Sequence, residues 1–249
     1  MSSIITLSNH KGGVGKTTSS INIGAGLNKL GKRVLLIDFD PQANLSQSLG
    51  IIDAEFTIYG AMRGFYKITP FTILPGLDIV PSTIDLSGAE LEMIGEPGRE
   101  YILKQTIEPI KNKYDFIIID SPPSLGLLTI NSFTASDKVL IPLQAQFLAL
   151  QGLVELVEVI KKIQTKLNTN LSLGGVFITQ YDNRKILNKN VSETIVDYFK
   201  DEVFKTKIRD NIALAEAPSK ALDIFRYNSK SYGAIDYLAL AKEIIKRIK

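Results

Sequence analysis

A glycine-rich segment near the start of the chain constrains the fold more than any other feature of the sequence. It lies between an apolar run at 4–7 and a stretch with helical spacing at 17–30, and it consists of Lys11, Gly12, Gly13, Val14, Gly15, Lys16, Thr17 and Thr18. Between a strand and a helix, such glycines let successive backbone N–H groups point at phosphate oxygens. The agreement of strand, glycines, Lys-Thr pair and helix predicts a phosphate-binding loop rather than a chance turn.

The residue types in this segment suggest separate roles. Lys16 is placed to reach the β- and γ-phosphates of a nucleotide, and the Thr17 hydroxyl is placed to ligate Mg²⁺. The positive end of the following helix adds to the attraction for phosphate. We therefore take the whole segment from Lys11 to Thr18 as candidate nucleotide-binding residues.

Carboxylates follow two apolar runs that have the length of buried strands. Asp38 and Asp40 come after the run 34–37, and Asp120 comes after the run 116–119. One aspartate after an apolar run is often only a helix N-cap. In doubly wound sheets, however, ligands bind at the carboxyl ends of strands, so these carboxylates should meet the phosphate loop.

Apolar runs alternate with helical patterns along the chain. The runs are continuous rather than alternating, which is typical of strands covered on both faces. The sequence therefore predicts one α/β domain over residues 1–249, with a doubly wound, mainly parallel sheet and helices on both faces. The stretch from about 53 to 76 is the least regular and is expected to be a mobile excursion. The other predicted strands are 77–80, 139–141 and 175–178, and the other predicted helices are 153–167, 191–199 and 234–248.

Composition narrows the chemistry. The chain has no cysteine, which excludes disulfides, thiolate nucleophiles and Cys-ligated metals, and His10 is its only histidine. We interpret His10 as structural rather than catalytic. No apolar run approaches the ~20 residues that span a bilayer, and the first residues do not resemble a secretory signal. A cytoplasmic location is the resulting expectation.

The charges are unevenly distributed. The net charge is +3, and residues 184–249 carry a balance of +5 against −2 for residues 1–183. Chance variation on solvated helix faces could produce this difference. The alternative is a basic surface for a polyanion, built from the last quarter of the chain.

The glycine-rich segment also departs from the usual phosphate loop. His10 stands where the first glycine is usual, and Lys11 is an additional lysine. With these features the segment resembles the deviant Walker A loop of the ParA/MinD class of P-loop ATPases. Segments along the whole chain resemble the ParA/Soj partition ATPases specifically: 38–44, 80–90, 120–129, 179–184, 216–219 and 231–238.

The resemblance implies a role for each site residue. Lys11 would reach across a dimer interface to the partner's nucleotide and act in catalysis with Lys16. Asp40 would be the switch carboxylate that orients the attacking water. Asp120 would hold Mg²⁺ through water, Thr17 would ligate it and Asp38 would support the metal shell. Asn211 would contact the adenine.

The resemblance also implies a cycle with several partners. ATP would drive homodimerisation, the dimer would bind double-stranded DNA without sequence preference on the nucleoid, and a ParB-type protein would stimulate hydrolysis. We expect weak hydrolysis without that partner, because an aspartate is a weak base near neutral pH. We also expect no separate N-terminal DNA-reading domain. The candidate DNA-binding residues are Lys205, Lys207, Arg209, Arg226 and Lys230.

Three departures from the family pattern affect these expectations. Tyr232 stands where arginine is usual, and Ile208-Arg209-Asp210-Asn211 replaces Ile-Pro-Arg-Asn, which keeps Asn211 but moves a charge. Gln146 stands where glutamate is usual. These departures concern the expected DNA surface more than the nucleotide site.

Two other functions on the same fold remain as alternatives. One is a MinD-like membrane ATPase, because residues 240–249 are apolar on one face and basic on the other. The simpler interpretation is that this helix docks on the sheet with its basic face in solvent. The other is a metabolic ligase of the dethiobiotin-synthetase type, which would not need Lys11. Reductases resembling the nitrogenase iron protein need bridging cysteines, which this chain does not have.

Overall fold

The computed structural model describes residues 2–146 and 149–248 of the chain. Its single sheet has seven strands in the order β3-β4-β2-β5-β1-β6-β7. The strands are β1 (Ser3–Leu7), β2 (Val34–Asp38), β3 (Phe71–Leu74), β4 (Leu77–Val80), β5 (Phe116–Asp120), β6 (Lys138–Gln144) and β7 (Ser172–Thr179).

The helices within the described residues include several short ones. They are α1 (Lys16–Lys29), α2 (Asn44–Ser48), α3 (Ile58–Met62), α4 (Leu86–Glu92), α5 (Ile102–Ile107), α6 (Leu127–Ala135), α7 (Ala149–Lys166), α8 (Ile186–Phe199), α9 (Ile212–Glu216), α10 (Ile224–Asn228) and α11 (Tyr232–Arg247).

Both faces of the sheet are covered, as the continuous apolar runs predict. In β2, Val34 and Leu36 face a cluster that includes residues of α1 and α11, whereas Leu35 and Ile37 face a cluster with residues of α4, α5 and α6. A third cluster joins β6 to α7 and α8. The predicted doubly wound α/β fold is confirmed.

The pairing of the strands decides where the site lies. All neighbouring strands run parallel except β3, which is antiparallel to β4. The registers of β1 and β2 with β5 bring Leu7, Asp38 and Asp120 level with one another. The carboxyl ends of the three central strands therefore meet at one edge of the sheet.

The six predicted strands are present, with ends that differ by up to three residues. The stretch 53–76, the least regular in the sequence, contains both α3 and β3. Periodicity does not identify these two elements, because α3 has only five residues and β3 only four.

The last helix docks on the sheet, as the simpler interpretation of its amphipathic pattern predicts. It buries Tyr237, Leu240, Ala241 and Ile244 in the same cluster as residues of α1. The Tyr237 hydroxyl lies 2.8 Å from the Ser19 hydroxyl of α1. Nowhere in residues 2–146 and 149–248 is a helix both long and apolar enough to cross a membrane.

Candidate nucleotide site

The phosphate loop connects β1 to α1 and is fixed from the end of β7. Gly13 and Gly15 have φ angles of 75° and 79°, in the left-handed region that favours glycine. The carbonyl of Gly13 accepts a hydrogen bond from the Gln180 side chain, and that of Val14 accepts one from the Thr179 hydroxyl, both at 2.8 Å. These carbonyls accept hydrogen bonds from residues outside the loop. This arrangement suits a loop whose interior N–H groups bind an anion.

Lys16, the first residue of α1, is 9% exposed and lies among three acceptors. Its Nζ is 3.8 Å from Oδ2 of Asp40 and 3.8 Å from Oδ1 of Asp120, and it donates to the carbonyl of Ser121. The prediction that the loop and the carboxylates after β2 and β5 converge is thereby confirmed. A buried ammonium needs such partners, because an unpaired charge is costly to remove from water.

Asp120 links the end of β5 to the first turns of α1. Its carboxylate is fully buried and accepts hydrogen bonds from the hydroxyls of Thr17 at 2.7 Å and Ser20 at 2.9 Å. Burial raises the pKa of Asp120, while Lys16 and the two hydroxyls act in the opposite direction. The Thr17 oxygen keeps its lone pairs for a cation while its proton is donated to Asp120.

Asp38 is also buried, but its oxygens are used by the chain itself. Oδ2 accepts the backbone N–H of Ser46 at 2.8 Å and the Ser46 hydroxyl at 2.6 Å, and Oδ1 accepts the N–H of Asp40 at 3.3 Å. Burial, together with the charge of Asp120, raises the pKa of Asp38 to about 7. Asp38 therefore fixes the connection between β2 and α2, and with it the position of Asp40. Its place in a metal shell stays a prediction.

A cavity of about 430 Å³ opens in front of these groups. Its lining includes Lys11, Gly12, Gly13, Gly15, Lys16, Thr17, Thr18 and Asp40. The glycine loop and the lysines suit phosphate oxygens. No cluster of three His, Asp or Glu side chains that could hold a metal by itself occurs in the described parts of the chain. The donor set fits Mg²⁺, which is commonly held by one or two protein oxygens together with phosphate oxygens and water.

A second hollow of about 270 Å³ continues from the loop toward α9 and α11. Gly15, Thr18 and Leu214 contribute to its lining, as does Asn211. Oδ1 of Asn211 is buried and has no hydrogen-bond partner among the described residues. A buried acceptor without a partner is costly, and the exocyclic amino group of adenine is a donor that would satisfy it. The expected contact of Asn211 with adenine therefore fits this hollow.

The two residues before the glycines contact the region between β6 and α7. The Lys11 ammonium donates to Oε1 of Gln146 in the same chain. The exposed His10 ring packs against Gly152, where any Cβ would collide with it. A packing role accounts for the position of His10, which agrees with our structural interpretation of this residue.

Among the candidate DNA-binding residues, two arginines are already paired. Nη2 of Arg209 lies 2.6 Å from Oδ1 of Asp236, and its guanidinium stacks on Tyr232 with Cζ 4.1 Å from the ring centroid. The Arg226 guanidinium pairs with Asp223, which caps α10. Part of the predicted positive charge in this region is therefore neutralised locally.

The three lysines differ in how far they are available to a ligand. Lys207 is partly buried, donates to the Ser192 hydroxyl at 2.6 Å and lies over the Tyr181 ring. Lys205 and Lys230 are exposed, and neither forms an ion pair within residues 2–146 and 149–248. Lys205 and Lys207 border one hollow beside α11, whereas Arg209 borders the hollow near Asn211. The five candidates do not all line one cavity.

Sequence reasoning assigned no role to several residues that complete the site. Ser20 shares Asp120 with Thr17, and Ser46 holds Asp38. Ser20 follows Thr17 by three residues, a spacing that places both hydroxyls on one face of α1. Ser121 contributes only its carbonyl oxygen, which no side-chain pattern reveals.

The chain is similar to known proteins over almost its whole length. A family model described as an AAA domain matches residues 2–173. The chain is 47% identical over 249 residues to the sporulation initiation inhibitor protein Soj of Bacillus subtilis, with 98% of each chain covered. It is 46% identical to the chromosome-partitioning ATPase Soj of Treponema pallidum, covering 99% of this chain and 98% of that one.

The fold is shared with a solved enzyme. Cobyrinic acid a,c-diamide synthase of Mycobacterium smegmatis, with a bound ATP analogue and magnesium, superposes with a TM-score of 0.89. The identity is 33%, and the match covers 100% of this chain and 96% of that one. The similarity therefore extends over the nucleotide site and the rest of the sheet.

Proposed function

The chain belongs to the Soj/ParA family of chromosome-partitioning ATPases, and from this premise we propose that it is an ATP-dependent DNA-partition ATPase. It binds ATP with Mg²⁺, forms an ATP-dependent homodimer and binds double-stranded DNA without sequence preference. A ParB-type partner then stimulates its hydrolysis of ATP to ADP and phosphate. The observation that carries the proposal is the ring of acceptors around Lys16, with the additional Lys11 at the rim of the same cavity.

The groups around the cavity divide the work of hydrolysis. The Lys16 ammonium moves away from the neighbouring carboxylates and neutralises phosphate charge. Such neutralisation is the main requirement of phosphoryl transfer. Asp40, held by Lys16 and by the N–H of Gln42 at 3.0 Å, orients the attacking water. Thr17 and Asp120 hold the Mg²⁺ shell, and Asp38 supports it through the connection it fixes. Bound Mg²⁺ supplies charge stabilisation at the phosphate oxygens.

Lys11 explains why the dimer depends on nucleotide. Lys11 is an exposed residue, and it lies at the rim of the phosphate cavity. In a face-to-face dimer it reaches the partner's nucleotide, so each site is completed by the other chain. A single protomer then lacks one cation, which accounts for slow hydrolysis before stimulation.

The basic last quarter of the chain supplies the DNA surface and hence the association with the nucleoid. Sequence-independent binding needs contacts between lysine or arginine and backbone phosphates. Lys205 and Lys230 are the candidates best suited to this role, because both are exposed and unpaired within the described chain. The pairing of Arg209 and Arg226 with carboxylates makes them weaker candidates.

Two observations favour partition over the alternatives. The apolar face of α11 is packed on α1, which leaves it unavailable for a membrane. A metabolic role is suggested by the name of the solved synthase at 33% identity, whereas the relatives at 46–47% carry the name Soj.

Fluorescence anisotropy with a labelled random-sequence duplex tests the proposal. The chain with Mg²⁺ and a non-hydrolysable ATP analogue should bind the duplex at low salt and release it as salt rises, whereas the nucleotide-free chain should bind poorly. Lys16→Ala is the matched control and should remove the nucleotide dependence. An analogue-bound chain that ignores duplex DNA at low salt would overturn the partition assignment.

A further inference from the structure

Three glutamine side chains join Lys11 to the backbone of the phosphate loop. The Lys11 ammonium donates to Oε1 of Gln146, and Nε2 of Gln146 donates to Oε1 of Gln144 at 2.7 Å. Nε2 of Gln144 then donates to Oε1 of Gln180, and Nε2 of Gln180 donates to the carbonyl of Gly13 at 2.8 Å. The hydrogen bonds form one continuous series that begins and ends in the loop.

The sheet fixes the positions of these glutamines. Gln144 is the last residue of β6, and Gln180 follows directly after β7, the parallel neighbour of β6. Gln180 has a φ of 50°, a left-handed conformation that is uncommon for a residue with a side chain. Gln146 lies two residues beyond β6 and is only partly buried. The two inner amides are thus anchored on the sheet, and Gln146 is the outermost member.

All the amides in the series point the same way. Each carbonyl oxygen is directed toward the Lys11 end, and each amino group is directed toward Gly13. Hydrogen bonds in such a series polarise one another, so the oxygen facing the ammonium is a better acceptor than an isolated amide. The series still carries no net charge, and an amide holds an ammonium less strongly than a carboxylate does.

We propose that Gln146 is a positioning residue that holds the Lys11 ammonium within its own protomer until the dimer forms. The proposal rests on the function above, in which Lys11 moves to the partner's nucleotide. Because Lys11 must leave Gln146 to do so, the strength of this hydrogen bond opposes dimerisation. The hydrogen bond to the neutral glutamine is weak, so the chain dimerises more readily than it would with a carboxylate at this position. Since the dimer contains two such lysines, any change in the hold acts twice.

Two substitutions at Gln146 should change dimerisation in opposite directions. Gln146→Glu replaces the hydrogen bond to Lys11 by an ion pair, which at a partly exposed site should strengthen the contact about threefold. Because the dimer contains two such lysines, the dimer dissociation constant should rise about tenfold. Gln146→Leu removes the acceptor and should lower that constant about threefold or more. Gln105→Glu adds the same charge to an exposed position on α5 and should leave dimerisation unchanged.

Sedimentation equilibrium with Mg²⁺ and a non-hydrolysable ATP analogue measures these constants. The effect of Gln146→Glu should shrink as salt rises, because exposed ion pairs are screened. If both Gln146 variants shift the constant in the same direction, or neither shifts it, the holding role is wrong while the proposed function stands. If the unaltered chain stays monomeric under these conditions, the dimer proposal fails and the holding role fails with it.

Discussion

The phosphate site and the basic last quarter of the chain use charge in contrasting ways. In the phosphate site, Lys16, Asp38 and Asp120 are buried, and each has several polar partners at hydrogen-bond or ion-pair distance. In the last quarter, Lys205 and Lys230 are exposed and have no ionic partner within the described residues, whereas Arg209 and Arg226 are bound to aspartates.

The difference shows why one function can be located from sequence and the other cannot. A buried charge must be paired, so its partners have to arrive at fixed positions on strands and helix termini. Those positions leave motifs in the sequence. An exposed lysine needs no partner, and it can contribute to binding a polyanion from many places on the surface. The total charge of the last quarter is therefore informative, but the individual residues are not.

The largest expected effect is the loss of nucleotide binding on removal of Lys16. Lys16→Ala deletes the charge-assisted contacts to two phosphates, each worth about 1.5–3 kcal/mol, so affinity for ATP should fall at least about 100-fold. Lys29→Ala, on the exposed last turn of the same helix, is the matched control. Titration with a fluorescent ATP analogue measures both. Affinity retained within about tenfold would contradict the loop assignment.

The second prediction concerns the pH dependence that a buried carboxyl imposes on the nucleotide-free protein. The pKa of Asp38 is raised to about 7 from an ordinary value of 3.8, so between these values the folded chain holds a proton that the unfolded chain has lost. The resulting stability is complete below about pH 4 and is lost as the pH rises through 7. Asp38→Asn should remove this dependence.

Urea unfolding of both proteins from pH 5 to pH 8 measures the effect. The free energy of unfolding of the unaltered chain, relative to Asp38→Asn, should fall by about 2–3 kcal/mol over this range. Two curves that stay parallel would show that Asp38 is ionised throughout. The charge would then be accommodated by the Ser46 donors, and the contrast between buried and exposed charges would be weaker than the structure indicates.

The sequence predicted most of the site because its chemistry lies in side chains at the ends of strands. Lys16, Asp40 and Asp120 converge as expected from the carboxyl ends of parallel strands. The Ser121 carbonyl and the glutamine series could not be predicted, because backbone acceptors leave no sequence signal and Gln180 depends on an uncommon backbone angle. Asp38 was expected beside the metal, and its bonds to Ser46 show that it also holds the neighbouring loop.

The fold was predictable for the same physical reason. Strands such as β2 and β5 are buried on both faces, so every position is apolar until the final aspartate. The antiparallel edge strand β3 has no fully buried residue, and its four residues carry too little pattern to be recognised. The four predicted helices are present, but two of them begin a turn early: α7 begins at Ala149, four residues before the predicted start, and α8 begins at Ile186, five residues before it.

A third prediction probes Oδ1 of Asn211, a buried atom beside the phosphate loop that has no partner among the described residues. If Oδ1 of Asn211 accepts the adenine amino group, Asn211→Ala should lower affinity for ATP about tenfold, the value of one hydrogen bond in a buried site. Affinity for GTP should change little, since guanine has a carbonyl at that position. Asn190→Ala, exposed on α8, is the control. An equal loss for ATP and GTP would show that Asn211 only shapes the hollow.

The smallest effects are expected in the basic region, where they test whether free and paired cations differ. Lys205→Ala and Lys230→Ala should each weaken duplex binding by about twofold to fivefold at low salt and reduce the slope of log affinity against log salt by about one. Arg226→Ala removes the same charge, but Asp223 already neutralises the guanidinium, so the slope should stay unchanged.

Comparing slopes rather than affinities separates contact from general attraction. All three variants lower the net charge equally, so a diffuse field would weaken binding similarly in each of them. Only a residue that contacts phosphate releases a counterion, and only its loss changes the slope. If Arg226→Ala lowers the slope as much as Lys230→Ala, the Asp223 pair opens on DNA. Pairing within the chain would then not predict which cations contact DNA. The contrast with the phosphate site would rest on burial alone.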